Sequence, residues 1–116
     1  MTNDHNDIMW EAPLKRKYSS HMYAFSQFVT QKTKKDLLQW NNLYKWSINS
    51  PNSFWLYLSE YVGIKWIRKP ATSYQPPPKG KMLGASWFSN SQLNYAANLL
   101  PPPSNQDLVI SYNENG

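Results

Sequence analysis

The sequence contains no cysteine, which excludes disulfide bridges, thiolate zinc sites and cysteine nucleophiles together. Histidine is scarce as well, with only His5 and His21. Neither has metal-ligand spacing or a neighbouring carboxylate motif, so we interpret both as ordinary surface side chains. A metal site built on thiolates or imidazoles is therefore not expected.

Long apolar runs are also lacking, since none approaches the roughly 20 residues that span a bilayer. The first residues, MTNDHND, are polar and acidic, without the basic start and apolar core of a secretory signal. We therefore expect a soluble, cytoplasmic chain with no membrane partner.

Nucleotide and nucleophile motifs are missing too. The sequence has no GxxxxGK[ST], GxGxxG or GxSxG, and GKMLG at 80–84 is too irregular for a phosphate cradle. The acidic residues lie far apart and indicate no acid and base pair. We predict that the chain holds no catalytic, cofactor-binding or metal-binding residue.

What is present is an aromatic-rich chain of 116 residues, 41% hydrophobic and 16% aromatic. This composition favours a packed core over disorder, and the length suits one small domain. Basic residues outnumber acidic ones by 12 to 7, for a net charge of +5. A positive field attracts phosphates, but no nucleic-acid recognition motif accompanies it, so we interpret the basic residues as solvated and expect no specific nucleic-acid partner.

Helical spacing dominates the first half of the chain. Ser19 or Ser20 can cap a first helix that carries Met22, Phe25 and Val29. A second helix is predicted from about Asp36 to Asn49. Its apolar face is formed by residues three or four positions apart: Leu37, Trp40, Tyr44 and Ile48.

A third helix is predicted with Ser50 as its cap and Pro51 at its first position. Its apolar stripe consists of Phe54, Trp55, Leu58, Tyr61 and Val62. Gly63 supplies a left-handed stop. A short strand is expected within IKWIRK, 64–69. The Pro-rich stretch 70–86 is predicted to be a surface linker, with polyproline conformation at 75–78, rather than an SH3-type ligand.

WFSNSQLNYAANLL, 87–100, predicts a further helix. Ser89 and Gln92 have the spacing of a capping box. The apolar side of this helix would consist of Leu93, Ala96, Ala97 and Leu100. The prolines at 101–103 would end it. The last segment, LVISYNENG at 108–116, predicts a strand leading into an Asn-Gly turn, with its hydrogen-bonding edge unpaired.

Four blocks of the sequence carry a resemblance: IMWEAP, SSHMYAF, NNLYKWSINSPNSFW and WFSNSQLNYAANLL. In this order and spacing they resemble the amino-terminal region of the acetoacetyl-CoA synthetases, which are acyl-CoA synthetases of the adenylate-forming superfamily. LNYAxNLL after WF is the most specific of the signals. Ala97 departs from the pattern, which usually has glutamate there.

The resemblance implies a mainly α chain with short β segments (α+β), the amino-terminal cap of a ligase. That enzyme joins acetoacetate to CoA through an acetoacetyl-adenylate, using ATP and magnesium. Its phosphate loop, hinge aspartate and adenylating lysine lie downstream and have no matching position here, so the chain is expected to be inactive alone, with no cofactor of its own.

The expected domains are a flexible arm at 1–18, a helical domain at 19–100 and the start of the large adenylation domain at 101–116. The expected partner is the remainder of the ligase, on which the aromatic pairs Trp40/Tyr44 and Phe54/Trp55 would pack. Self-association is expected for the isolated chain. Two alternatives stay open at this point, a basic nucleic-acid module and a protein-interaction module.

Overall fold

A computed structural model of the chain describes residues 8–100. Within these residues, four helices are followed by four short strands in antiparallel pairs and then by a short helix, which confirms the predicted α+β class. The elements in chain order are α1 Leu14–Tyr18, α2 His21–Thr33, α3 Trp40–Asn49, α4 Pro51–Tyr61, β1 Trp66–Arg68, β2 Thr72–Gln75, β3 Ser86–Ser89, β4 Gln92–Leu93 and α5 Tyr95–Leu99.

The chain divides into two compact units, Met1–Tyr61 and Val62–Gly116. The boundary lies inside the range 19–100 that the sequence predicts as one domain, and α1 lies inside the predicted arm. The predicted strand at 108–116 and the start of an adenylation domain at 101–116 fall outside the described residues. Within 8–100, no helix combines the length and apolar character that a membrane span requires.

Local signals set both ends of α2, and its start agrees with the prediction. The Ser20 hydroxyl accepts a hydrogen bond from the Tyr23 backbone N–H at 3.1 Å, which confirms Ser20 as the cap. The helix ends at Lys34, whose φ of 57° lies in the left-handed region.

The following helix begins later than predicted, at Trp40 instead of Asp36. The Leu37 backbone N–H donates to the Thr30 hydroxyl at 3.1 Å, and the Leu38 N–H donates to Asp36 Oδ1 at 3.3 Å. These amides are satisfied by side chains, so the segment is held outside the helix. The predicted end at Asn49 and the start of α4 at Pro51 are confirmed.

The core of the first unit lies among α2, α3, α4 and the segment before α3. Its buried apolar side chains are Phe25, Val29, Leu37, Leu43 and Trp46. Half-buried residues of α2 and α4 pack against them, namely Phe28, Phe54, Tyr57, Leu58 and Tyr61. The rings meet mostly edge to face, as Phe25 does with Phe54 at a centroid distance of 6.0 Å.

The predicted buried face of α3 is wrong. Leu43 and Trp46 point into the core, whereas Trp40, Tyr44 and Ile48 remain exposed. α3 carries apolar residues on two faces, and the single-residue connection at Ser50 brings α4 against the face with Trp46. The choice of face therefore depends on packing, which spacing alone does not reveal.

Over its described residues, 62–100, the second unit holds two antiparallel strand pairs. β1 pairs with β4, with Trp66 opposite Leu93, and β2 pairs with β3, with Tyr74 opposite Trp87. The strand predicted within 64–69 is confirmed as β1. The stretch predicted as a linker at 70–86 contains β2, and Gln75, predicted to be polyproline, pairs with Ser86.

The predicted capping box at Ser89 and Gln92 is also wrong. Phe88 and Asn90 have φ values of 49° and 59°, and the Ser91 N–H donates to the Phe88 carbonyl, so the chain turns here. Gln92 then enters β4, because its pairing partner is the distant β1. The cap is Asn94, whose Oδ1 accepts from the Ala97 N–H at 3.1 Å. The predicted apolar side of the helix is not buried, since Leu93, Ala96, Ala97 and Leu100 are all exposed.

Candidate functional site

A concave surface of the first unit lies between α2 and α3, and we call it the α2–α3 groove. It consists of two adjoining cavities of about 550 and 310 Å³ that share Met22, Trp40 and Leu43 in their linings. The larger cavity extends toward α1, and the smaller one toward α4.

The smaller cavity is lined almost entirely by apolar and aromatic side chains. Phe25 and Leu43 belong to the buried core and form part of its wall. Trp40 and Tyr44 stand at its rim, with ring centroids 6.1 Å apart and planes inclined by 21°. The arrangement can bury an apolar or aromatic group of a partner.

The larger cavity has a more polar end, where Lys17 is the cation of the lining. Lys17 Nζ donates a hydrogen bond to Glu11 Oε1. This hydrogen bond and the positive charge of Lys17 lower the pKa of the Glu11 carboxyl. The pair is exposed, so we assign no stability to it.

The serine hydroxyls of the groove are bonded to the backbone. Ser20, Ser26 and Ser47 each donate at 2.7 Å to a carbonyl of the preceding turn. Among residues 8–100, none of them is hydrogen-bonded to a histidine or carboxylate that would activate it as a nucleophile.

The groove does not fit the magnesium that the resemblance implies for a complete ligase. Over the part of the chain that the structure describes, its lining includes no carboxylate, whereas proteins usually hold magnesium through one or two carboxylates. No group of three or more His, Cys, Asp or Glu is found within 8–100. Of the predicted surface histidines, His21 is exposed and His5 lies outside the described residues.

Several basic residues are engaged within the protein. Lys32 Nζ lies 3.2 Å from Glu60 Oε2 and 5.4 Å from the centre of the Phe28 ring. Arg68 Nε donates to the Asn90 carbonyl at 2.6 Å, and Lys65 Nζ to the Ala97 carbonyl at 3.4 Å. These contacts favour a structural role for the residues over phosphate recognition.

One side chain of the second unit, that of Asn98, connects two segments that are distant in sequence. Asn98 Oδ1 accepts from the Lys65 backbone N–H at 2.7 Å, and Asn98 Nδ2 donates to the Lys65 carbonyl at 3.0 Å. Asn98 belongs to the LNYAxNLL block, so this contact gives a physical reason for a polar residue at that position.

Sequence comparison matches residues 40–99 to the family described as the acetyl-coenzyme A synthetase N-terminus. The acetoacetyl-CoA synthetase of Gallus gallus is 31% identical over 90% of this chain and 15% of its own length. The malonamoyl-CoA synthetase vrtB of Penicillium aethiopicum is 31% identical over 95% of this chain and 16% of its own.

An acetyl-coenzyme A synthetase of Sodalis glossinidius (strain morsitans) is 33% identical over 69% of this chain and 12% of its own length. The chain thus spans only about 12 to 16% of the length of these relatives. No solved structure matches it significantly. The names of the three relatives differ in the acyl group, so the match identifies the region without fixing a substrate.

Proposed function

The chain belongs to the acetyl-coenzyme A synthetase N-terminus family, and from this premise we propose that it is the amino-terminal structural cap of an acetoacetate-CoA ligase. The observation that carries the proposal is the family match at 40–99, which includes α3, α4 and both strand pairs. The likeness to the chicken acetoacetyl-CoA synthetase over 90% of the chain supports acetoacetate as the substrate of the whole enzyme.

The complete ligase would convert ATP, acetoacetate and CoA to acetoacetyl-CoA, AMP and diphosphate in the cytoplasm, as part of lipid metabolism. In this proposal the cap supplies no reacting group. We assign 1–18 to an amino-terminal arm, 19–100 to the cap and 101–116 to the start of the large adenylation domain. The groove, which suits an apolar partner and lacks a carboxylate in its described lining, supports a docking role.

We expect the purified chain alone to catalyse no ATP–pyrophosphate exchange with acetoacetate. The reason is that adenylation requires phosphate binding and a positioned lysine, and no residue of this sequence matches the motifs that provide them. The chicken relative, assayed in parallel, is the positive control. Exchange above background that persists through repeated purification would contradict the proposal.

The cap role itself is tested in the chicken acetoacetyl-CoA synthetase. Deletion of the segment that this chain matches should abolish acetoacetyl-CoA formation, and replacement of that segment by the present chain should restore it. The parent enzyme under the same conditions is the control. A chimera that is as inactive as the deletion would count against the proposal.

A further inference from the structure

One exposed stripe of α3 is apolar. Trp40, Tyr44 and Ile48 are spaced four residues apart and are 61%, 51% and 58% exposed. Trp40 and Tyr44 line the groove together with Met22 and Leu38, which are exposed as well. Contiguous apolar patches of this kind mark interaction surfaces in soluble proteins.

The groove beside this face is formed before any partner arrives. Its wall contains Phe25 and Leu43, which the core holds in place, and the Leu37 N–H bond to Thr30 fixes the connection between α2 and α3. The stack of Trp40 on Tyr44 restrains the two rim side chains. Binding here therefore costs little ordering of the groove.

Charge favours a different polypeptide over a second copy of this chain. The net charge of +5 makes two copies repel each other, and the described lining contains no acidic residue, while its lysine, Lys17, is paired with Glu11 outside the lining. A complementary partner presents an apolar segment with carboxylates beside it. The relatives contain about six times the length of this chain, so such a segment has a source in their remaining sequence.

We propose that the α2–α3 groove, with Trp40 and Tyr44 at its rim, is the docking surface for an apolar, acid-flanked segment of the catalytic part of the synthetase. This inference rests on the proposed cap function and names the surface through which it acts. Docking would cover the exposed face of α3 and leave the outer face of α4, with Leu56, open.

The absence of cysteine from the chain allows a direct footprint of this surface. Tyr44→Cys places a single thiol in the groove, and Leu56→Cys, at a residue that is 40% exposed and outside both cavity linings, is the matched control. Maleimide labelling is followed by peptide mass spectrometry in the isolated chain and in the chicken chimera. Met22→Cys, at a residue that lines both cavities and is exposed, repeats the measurement without removing the Tyr44 ring.

We expect labelling at Tyr44→Cys and Met22→Cys to be slower in the chimera by about tenfold or more, while Leu56→Cys changes by less than about twofold. An active chimera in which the groove thiols react as fast as in the isolated chain would overturn the docking surface and leave the cap function standing. An inactive chimera would remove the cap function, and the inference with it. Labelling of the isolated chain that slows with its own concentration would assign the groove to a second copy and refute the proposal.

Discussion

Trp46→Ala should remove a large part of the stability of the first unit. The Trp46 side chain is 7% exposed, stacks on Tyr57 at a centroid distance of 6.4 Å and meets the edge of Phe54 at 6.1 Å. Truncation of a buried tryptophan costs about 3–5 kcal/mol through lost burial and the cavity left behind. A small domain is stable by only about 5–15 kcal/mol in total.

The matched control is Trp40→Ala, the same change one helix face away. Because Trp40 is 61% exposed, the substitution removes only its stack on Tyr44 and some contacts at the groove rim. We therefore expect the free energy of unfolding to fall by less than about 1 kcal/mol. Urea unfolding followed by far-ultraviolet circular dichroism measures both. Equal destabilisation by the two variants would place Trp40 in the core, as helical spacing alone predicts.

Asn98→Ala should lower the free energy of unfolding of the second unit by about 2 kcal/mol. The change removes both hydrogen bonds to the Lys65 backbone, each of which contributes about 1 kcal/mol. The bond from Asn98 Nδ2 to the Asn94 carbonyl is lost as well. We expect hydrogen exchange of the β1–β4 amides to accelerate by more than about tenfold, since each 1.4 kcal/mol changes an opening equilibrium by that factor.

Asn94→Ala is the control for this prediction, as it removes only the local cap of α5 and should cost about 1 kcal/mol. The α2 amides report whether either change spreads beyond the second unit. If Asn94→Ala opens β1–β4 as much as Asn98→Ala does, the bridge to Lys65 does not hold that pair, and the prediction fails.

The groove was not predictable from the sequence, although one sign of it was present. α3 carries apolar residues on two faces, with Leu43 and Trp46 on one and Trp40, Tyr44 and Ile48 on the other. One buried face requires fewer apolar residues than this. The cavities themselves arise from the packing of α2 against the segment that precedes α3, which no local pattern encodes.

The sequence by itself determined the features that depend on neighbouring residues. Ser20 and Pro51 set helix starts, Asn49 ends α3, and Gly63, with a φ of 73°, follows α4 in the left-handed region. The ordered blocks ending in LNYAxNLL identified the family. These signals are local because caps, left-handed residues and motif spacing act within a few positions along the chain.

Only the tertiary structure decided which face of α3 is buried. It also decided that the chain after Ser89 forms a strand before it forms a helix. α4 packs on Trp46, and β1 pairs with β4 from more than twenty residues away. Burial of an aromatic face and strand pairing both gain their free energy from distant segments, so they override local helical spacing where the two conflict.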